Sequence, residues 1–474
     1  MHPDLPFIVT CLGLPLAWTR SKEGAQFMKI QPINRRGFLG LTAAGVAAAA
    51  LSGCKVNTSS SAGASSSGKG ALTIMGNDGE ITKDVISAWQ QLNADAPITF
   101  IKYDETRLNA MLAAGTPPDL VRGAGAQVTP YLASRKIAKP LDDYLSGSSL
   151  IHSGDLEAIN DVWKWDGTRQ GSGSTYGLTK DWSLDMMFWY NQSVFEEVGA
   201  RVPDSANPLT YDELLDVAKS MTATSGGKSS RYGLFATTPD VAFLQGMLAT
   251  TGVSLFSEDL KKVDFSSPEA QKAVGWLADV AKAKAGYTLL DPNPDGWDWP
   301  PFSSGRQAMQ SAGYWLTGVV AGDKKAPDFA RMAPAPLLGK ERVSPTTSAT
   351  GHWIPAKAKN PDGGFAFLEW FTAGQPAKDR AATGGGLPVM KNLRSSLPSK
   401  EAYQKTALET QTAEDKYAKV LSFSPYATVT ALTAAVSEQF PKLVQGSLTA
   451  GQFADQVNTK CNALLAEGVS RIGG

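Results

Sequence analysis

Apolar residues recur along the chain at two spacings. Ile81, Val85, Ile86, Trp89 and Leu92 fall three or four apart, the face of a helix, directly after the short apolar run Ala71 to Met75. Thr210 and Glu213 form a capping box that opens a helix through Met221. Ser267-Pro268-Glu269 opens another, whose apolar face is Ala270, Val274, Leu277 and Ala281 and whose stop is Gly286. Asn360-Pro361 opens a helix carrying Phe365, Leu368 and Phe371 and closing at Gly374. Thr449 with Gln452 opens the last, with Phe453, Val457, Cys461 and Leu464 inward. Between them lie strand-like runs at Ile98 to Ile101, Asp119 to Arg122 and Met186 to Tyr190. Strands alternating with helices predict α/β lobes with parallel-rich sheets, and no fixed-period repeat points to a solenoid.

The length sharpens this picture. A single core stops growing beyond about 250 to 300 residues, so 474 residues predict at least two domains. Hydrophobic residues make up 42% and charged residues 19% of the chain, which excludes a disordered polyelectrolyte. Lys+Arg and Asp+Glu both number 45. With no basic surplus to displace counterions from a phosphate backbone, nucleic acid is not an expected partner.

The N-terminus reads as a targeting segment. Residues 34 to 54 are NRRGFLGLTAAGVAAAALSGC: two arginines, a mild apolar stretch from Gly37 to Leu51, then small residues and a cysteine. Fifteen helical residues rise only ~22 Å, short of a ~30 Å hydrocarbon core, so this is a removable signal and not a span. Arg35-Arg36 resembles a twin-arginine export signal, and Leu51-Ser52-Gly53-Cys54 resembles a bacterial lipobox. That resemblance implies a Cys54 diacylated on its thiol as the first mature residue, with an ordinary secretory signal as the alternative. Residues 54–70 then form a Ser/Gly-rich tether. Residues 1–27 precede Met28 and read as an over-extended start. Cleavage removes five Lys/Arg (Arg20, Lys22, Lys29, Arg35, Arg36) and two acids (Asp4, Glu23), leaving 40 basic and 43 acidic residues and a net charge of −3.

Catalytic and metal signatures are sparse. Three Cys and three His are too few for a disulfide framework or a His/Cys metal cage, and no cofactor is expected. There is no G-x-S-x-G elbow, no H-E-x-x-H and no G-x-G-x-x-G, and the Gly226-Gly227-Lys228-Ser229 run has Thr222 where a phosphate loop needs glycine. Tryptophan, by contrast, is abundant at 12 residues. Trp163, Trp165, Trp182, Trp297, Trp299, Trp315 and Trp353 sit in loop-like contexts beside Gly, Asp or Pro. Each alone could be a packing aromatic. Together, near carboxylates and amides, they suit stacking on sugar rings.

The chain as a whole resembles the extracellular solute-binding proteins of ATP-binding-cassette importers, the class that includes maltose- and oligosaccharide-binding proteins. The resemblance rests on fragments in order: Gly115-Thr116-Pro117-Pro118-Asp119-Leu120; Pro140-Leu141-Asp142-Asp143-Tyr144; Tyr176-Gly177-Leu178; Trp189-Tyr190-Asn191 through Phe195 to Gly199; Leu209 to Leu214; Phe302, Gly305, Ala308, Met309 and Trp315; Asn360-Pro361; and Gly386-Leu387-Pro388. Lys136 and Tyr211 stand where the family pattern has Gly and Trp. The resemblance implies a type II fold of two α/β lobes, 71–180 plus 350–420 and 181–349 plus 421–474, joined by a hinge crossed near Lys180, Thr350 and Leu421. A monomer closes on ligand held between the lobes and is then recognised by the permease.

Cleft candidates follow from position. Asn77 and Asp78, with Glu80, end the first strand, where α/β folds place ligands, although a plain turn explains them equally. Arg122 follows the Pro118-Asp119 strand. Trp182 and Asp185 flank the first crossing, and His352 and Trp353 the second, with His352 a neutral hydrogen-bonding group. Trp315 matches the family's sugar-stacking tryptophan, and Trp299 with Asp298 comes next. The expected function is capture of a di- or oligosaccharide by a lipid-anchored, non-enzymatic protein on the outer face of a bacterial membrane. A non-sugar solute, or a secreted carbohydrate-active enzyme, are the competing readings.

Overall fold

A computed structural model describes residues 70–472 except 153, 226 and 227. The export signal, Cys54 and all of the tether but Gly70 lie outside the described residues. The chain opens with β1 (Leu72–Gly76), α1 (Lys83–Leu92), β2 (Ile98–Lys102), α2 (Glu105–Ala113), β3 (Leu120–Ala124) and α3 (Gly125–Ser134). Thr82 and Asp104 cap α1 and α2 by accepting from Val85 N and Arg107 N. Trp89 packs edge-on against Phe367, as its spacing predicts, but Leu92 at the helix end is 69% exposed, one turn beyond that contact. β4 (Gly177–Thr179) and β5 (Asp181–Trp182) bring the chain to a first passage at 183–187, and β6 (Phe188–Asn191) leaves it.

The second lobe then builds α4 (Tyr211–Met221), α5 (Val241–Leu248), α6 (Pro268–Ala283), α7 (Trp299–Ser303), β7 (Met309–Ser311), α8 (Leu316–Ala321) and β8 (Ala330–Ala333). Thr210 and Glu213 form the expected capping box, and Ser267 caps α6 with Pro268 in its first turn. Helix α6 stops earlier than Gly286, at a left-handed Lys284 (φ 51°). Gly286 serves close packing instead: a Cβ there would lie 2.8 Å from the Phe235 carbonyl. A second passage carries β9 (Ser344–Thr346) into β10 (Thr350–Trp353), followed by α9 (Pro361–Ala373), α10 (Gln375–Thr383), β11 (Leu387–Pro388), α11 (Ala402–Asp415), β12 (Ala418–Val420), α12 (Val429–Val444) and α13 (Ala450–Ile472). Phe453, Val457 and Cys461 are buried, Leu465 taking the fully buried place next to a half-buried Leu464. Burial pushes the Cys461 thiol up to about 12, consistent with a small apolar packing residue.

The first sheet has the order β2-β1-β3-β10-β4. β1, β2 and β3 are parallel, as predicted; β10 is antiparallel to both neighbours. The reason is direction of entry, because β10 comes into the sheet from the hinge end while its neighbours run toward it. For the same reason the second sheet, β7-β6-β8, is antiparallel and not parallel-rich: β6 leaves the hinge and both partners return to it. Asp119 ties the first lobe together by accepting from Thr73 N (2.8 Å) and Asn360 N (2.8 Å). Residues 402–420, grouped with the first lobe in the sequence reading, contact the second: α11 packs on β8, and β12 pairs with β9. The Lys391–Ser396 turn packs on α10 and β11 of the first lobe.

Candidate functional site

Strand direction decides where the lobes face each other. In the first sheet β1 to β4 run toward the passages: just beyond β3, Gly125 N donates to Ala349 O (3.3 Å) and Ala126 N to Ser348 O (3.0 Å). In the second sheet β7 and β8 run back toward the same passages and end beside Phe188. Two extended segments run with β7, since Tyr232 bridges Gln307 and Thr237 bridges Thr288, both in parallel. The carboxyl ends of both sheets therefore point at the hinge, the place where open α/β sheets bind ligands. The space between these edges is the candidate cleft. Thr430 at the start of α12 donates to Glu105 Oε2 (2.7 Å) and Arg135 Nη2 to Tyr426 O (2.8 Å), contacts between the lobes beside that space.

Trp315 and Trp182 meet this region from opposite lobes. Trp315 follows the end of β7, is half-buried, and its backbone N–H donates to Ser183 Oγ (3.1 Å) in the first passage. Trp182 lies one residue before that passage, half-buried, with its Nε1 lacking a hydrogen-bond partner and the Arg394 guanidinium 5.8 Å from its ring. Tyr314, next to Trp315, also has a buried hydroxyl without a partner.

Other candidates are committed to the protein. Asp185 accepts from Thr347 N (2.6 Å), Ser348 N (2.9 Å) and the hydroxyls of Thr346, Thr347 and Ser348, so its carboxylate clasps the first passage to the second and is not free for a ligand. Burial raises its pKa, and these donors offset part of that. Asp298 pins a loop by accepting from Ala236 N (3.0 Å) and Asn293 Nδ2 (3.3 Å), with its pKa raised by burial. Trp353 is fully buried beside Gly123, and Trp163 and Trp165 are buried too, so these loop-context indoles are core. Asn77 Oδ1 accepts from Gly79 N (2.9 Å), the turn reading, while Asp78 pairs with Lys102 (3.2 Å) in solvent, a contact worth little. Trp299 is half-buried at the start of α7 and packs on Phe302.

A buried charge cluster underlies the first-lobe edge. Arg122 donates in bidentate fashion to Glu80 (2.9 and 3.0 Å), Lys180 Nζ lies 3.5 Å from Glu80 and contacts Asp181, and Arg380 Nε lies 3.7 Å from Asp181. Burial alone would raise the Glu80 carboxyl, but Lys180 and Arg122 outweigh it and hold it at about 2. Arg122 is thus held in an ion pair at the cleft wall. His352 is fully buried against Phe371 with both ring nitrogens unpartnered. Burial, with Lys180, Arg122 and Arg380 nearby, pushes its pKa down to about 3. The low pKa favours the neutral imidazole, and its two nitrogens find no partner among the described residues. Tyr103 and Glu105 follow β2 as Asn77 follows β1, at the strand ends where open α/β sheets place ligands.

Residues 85–410 match the model of the bacterial extracellular solute-binding proteins. The chain belongs to this family. No curated protein matches it. Among solved structures, it is similar to an ABC substrate-binding protein from Listeria monocytogenes in complex with cycloalternan, at 18% identity and TM-score 0.70, covering 84% of this chain and 99% of that one. A maltose/maltodextrin-binding domain from Bdellovibrio bacteriovorus bound to maltotriose gives 17% identity and TM-score 0.66, covering 84% and 100%. A solute-binding protein from Thermotoga lettingae bound with α-D-tagatose gives 20% and 0.64, covering 84% and 100%. The solute-binding protein thus has the two-lobed type II fold, and no helix among the described residues is long and apolar enough to cross a membrane.

Proposed function

We propose that this solute-binding protein captures a di- or oligosaccharide between its lobes and delivers it to the permease of an ATP-binding-cassette importer. What supports this reading is that Trp315 and Trp182, both half-buried, flank the first passage, the backbone N–H of Trp315 donating to Ser183 Oγ next to Trp182. Flat apolar faces beside unpartnered donors suit the C–H faces and hydroxyls of a sugar. Trp315, Trp182 and Trp299 would contact ligand, with Asn77 and Asp78 at the rim. Arg122, Asp185, Asp298, His352 and Trp353 would act by holding that surface in place. The sugars bound by the similar structures support the class of ligand. Diacylation of Cys54 would tether the body to the outer face of the membrane.

The test is a thermal-shift screen of residues 55–474 against mono- to hexasaccharides. A ligand that binds only the native state adds about 2.7 kcal/mol at a hundredfold excess over Kd, so at least one sugar should raise Tm by several degrees and be recovered unchanged. Release of a shortened product would replace this reading with an enzyme.

A further inference from the structure

Three consecutive glycines, Gly384-Gly385-Gly386, join α10 to β11. Two of them take positive φ: Gly384 (76°) ends α10 in the left-handed region, and Gly386 (116°) turns the chain into β11. Gly385 has no such requirement, and what it faces explains why it carries no side chain. Gly318, in α8 of the second lobe, donates its N–H to Gly384 O (3.2 Å), and a Cβ on Gly318 would stand 2.9 Å from Gly385 Cα. The glycine loop belongs to the first lobe, since α10 packs on α9 and β11 pairs with β5. The lobes therefore touch here backbone to backbone. The contact also lies close to the hinge: a Cβ on Gly313, just ahead of α8, would come 2.4 Å from Ser183 Cβ, and Trp315 N donates to Ser183 Oγ. Trp315 and Gly318 are three residues apart and so share one face of α8.

We propose that this contact is a bearing that sets the angle between the lobes, and that Gly318 is a positioning residue for capture. It touches no ligand; it acts by fixing how closely the Trp315 face of α8 approaches the first lobe. Carbon atoms in ordinary contact lie about 3.5 to 4.0 Å apart, so a methyl group on Gly318 must push the first-lobe backbone back by about half an ångström or more. Packed backbone does not compress, and rotation about the two nearby passages relieves the clash instead. Because the wedge stands on the face that carries Trp315, that rotation parts the walls on the ligand side. A smaller fraction of the protein is then competent to hold a ligand against both lobes, and apparent affinity falls with that fraction. The effect on affinity rests on the capture reading; the effect on lobe angle does not.

The test compares wild type with Gly318→Ala, Gly385→Ala and Gly275→Ala, by small-angle scattering without ligand and by calorimetry against gluco-, manno-, galacto- and xylo-oligosaccharides of one to six rings. The Gly385 Cβ meets nothing nearer than 3.6 Å, and Gly275 in α6 has nothing within 4 Å, so both of these variants should keep the wild-type radius of gyration and affinity. Gly318→Ala and Gly275→Ala both gain the helix propensity of alanine, so loss of helix stability cannot separate them. Gly318→Ala alone should enlarge the radius and weaken every sugar that binds by several-fold, with an unchanged far-ultraviolet circular dichroism spectrum. A wild-type radius or a wild-type affinity in Gly318→Ala overturns the bearing. Loss of its folded spectrum overturns it too, because the contact would then be packing within one body. If the wild type binds none of these sugars, the capture reading falls, and the scattering comparison still decides the bearing.

Discussion

Glu80 has its carboxylate where two cations, Arg122 and Lys180, reach it below the protein surface. Replacing it with Gln leaves those cations facing each other, and breaking such a pair costs about 3 kcal/mol. The sign of the pH effect follows from its depressed pKa. An unfolded Glu80 titrates near 4.5 and the folded one at about 2, so its stabilisation is complete above pH 4.5 and is lost as pH falls toward 2. Glu80→Gln should therefore be strongly destabilised at pH 7 in a urea titration, and the gap to wild type should narrow as pH falls from 4.5 toward 2. A gap that stays constant with pH would mean the pair contributes only packing. The sequence placed Glu80 and Arg122 near the cleft but could not pair them, because they are 42 positions apart and meet only through the alignment of β1 with β3.

At the scale of the element, the hinge is the part most dependent on one side chain. Residues 183–187 and 344–349 are joined through Asp185, whose carboxylate gathers two backbone N–H groups and three hydroxyls from the second passage. An Asn there must turn its own N–H₂ toward one of those donors, and each buried donor left unmatched costs about 1 to 3 kcal/mol. Asp185→Asn should lower Tm by several degrees and widen the distribution of lobe angles, read as a larger radius of gyration of the ligand-free protein in small-angle scattering. A variant with wild-type Tm and radius would remove Asp185 from the hinge. The helices themselves were legible, since Thr210 with Glu213, Ser267 with Pro268 and Asn360 with Pro361 set caps within a few residues of chain. The antiparallel entry of β10 was not, because nothing in its four residues records the direction from which they arrive.

For the whole molecule, the body has to stay near its importer, and residues 1–69 carry that task in the reading proposed here. If Cys54 is diacylated, Cys54→Ala should move the protein from the membrane fraction to the medium or the soluble envelope fraction with sugar affinity unchanged, as followed by fractionation and immunoblot; retention on the membrane would sink the anchor. Within the body, tryptophan shows how far a sequence can go. Trp315, Trp353 and Trp163 all sit in loop-like contexts beside Gly or Asp, yet one is half-buried beside the first passage and two are sealed in the core. By itself the sequence determined what depends on near neighbours: the caps, the apolar faces, the first strands and the order of fragments that marks the family. The tertiary structure alone decided which polar groups are spent on the protein and which remain for a ligand. Burial and pairing are properties of residues brought together over tens to hundreds of positions, and local pattern carries no record of them.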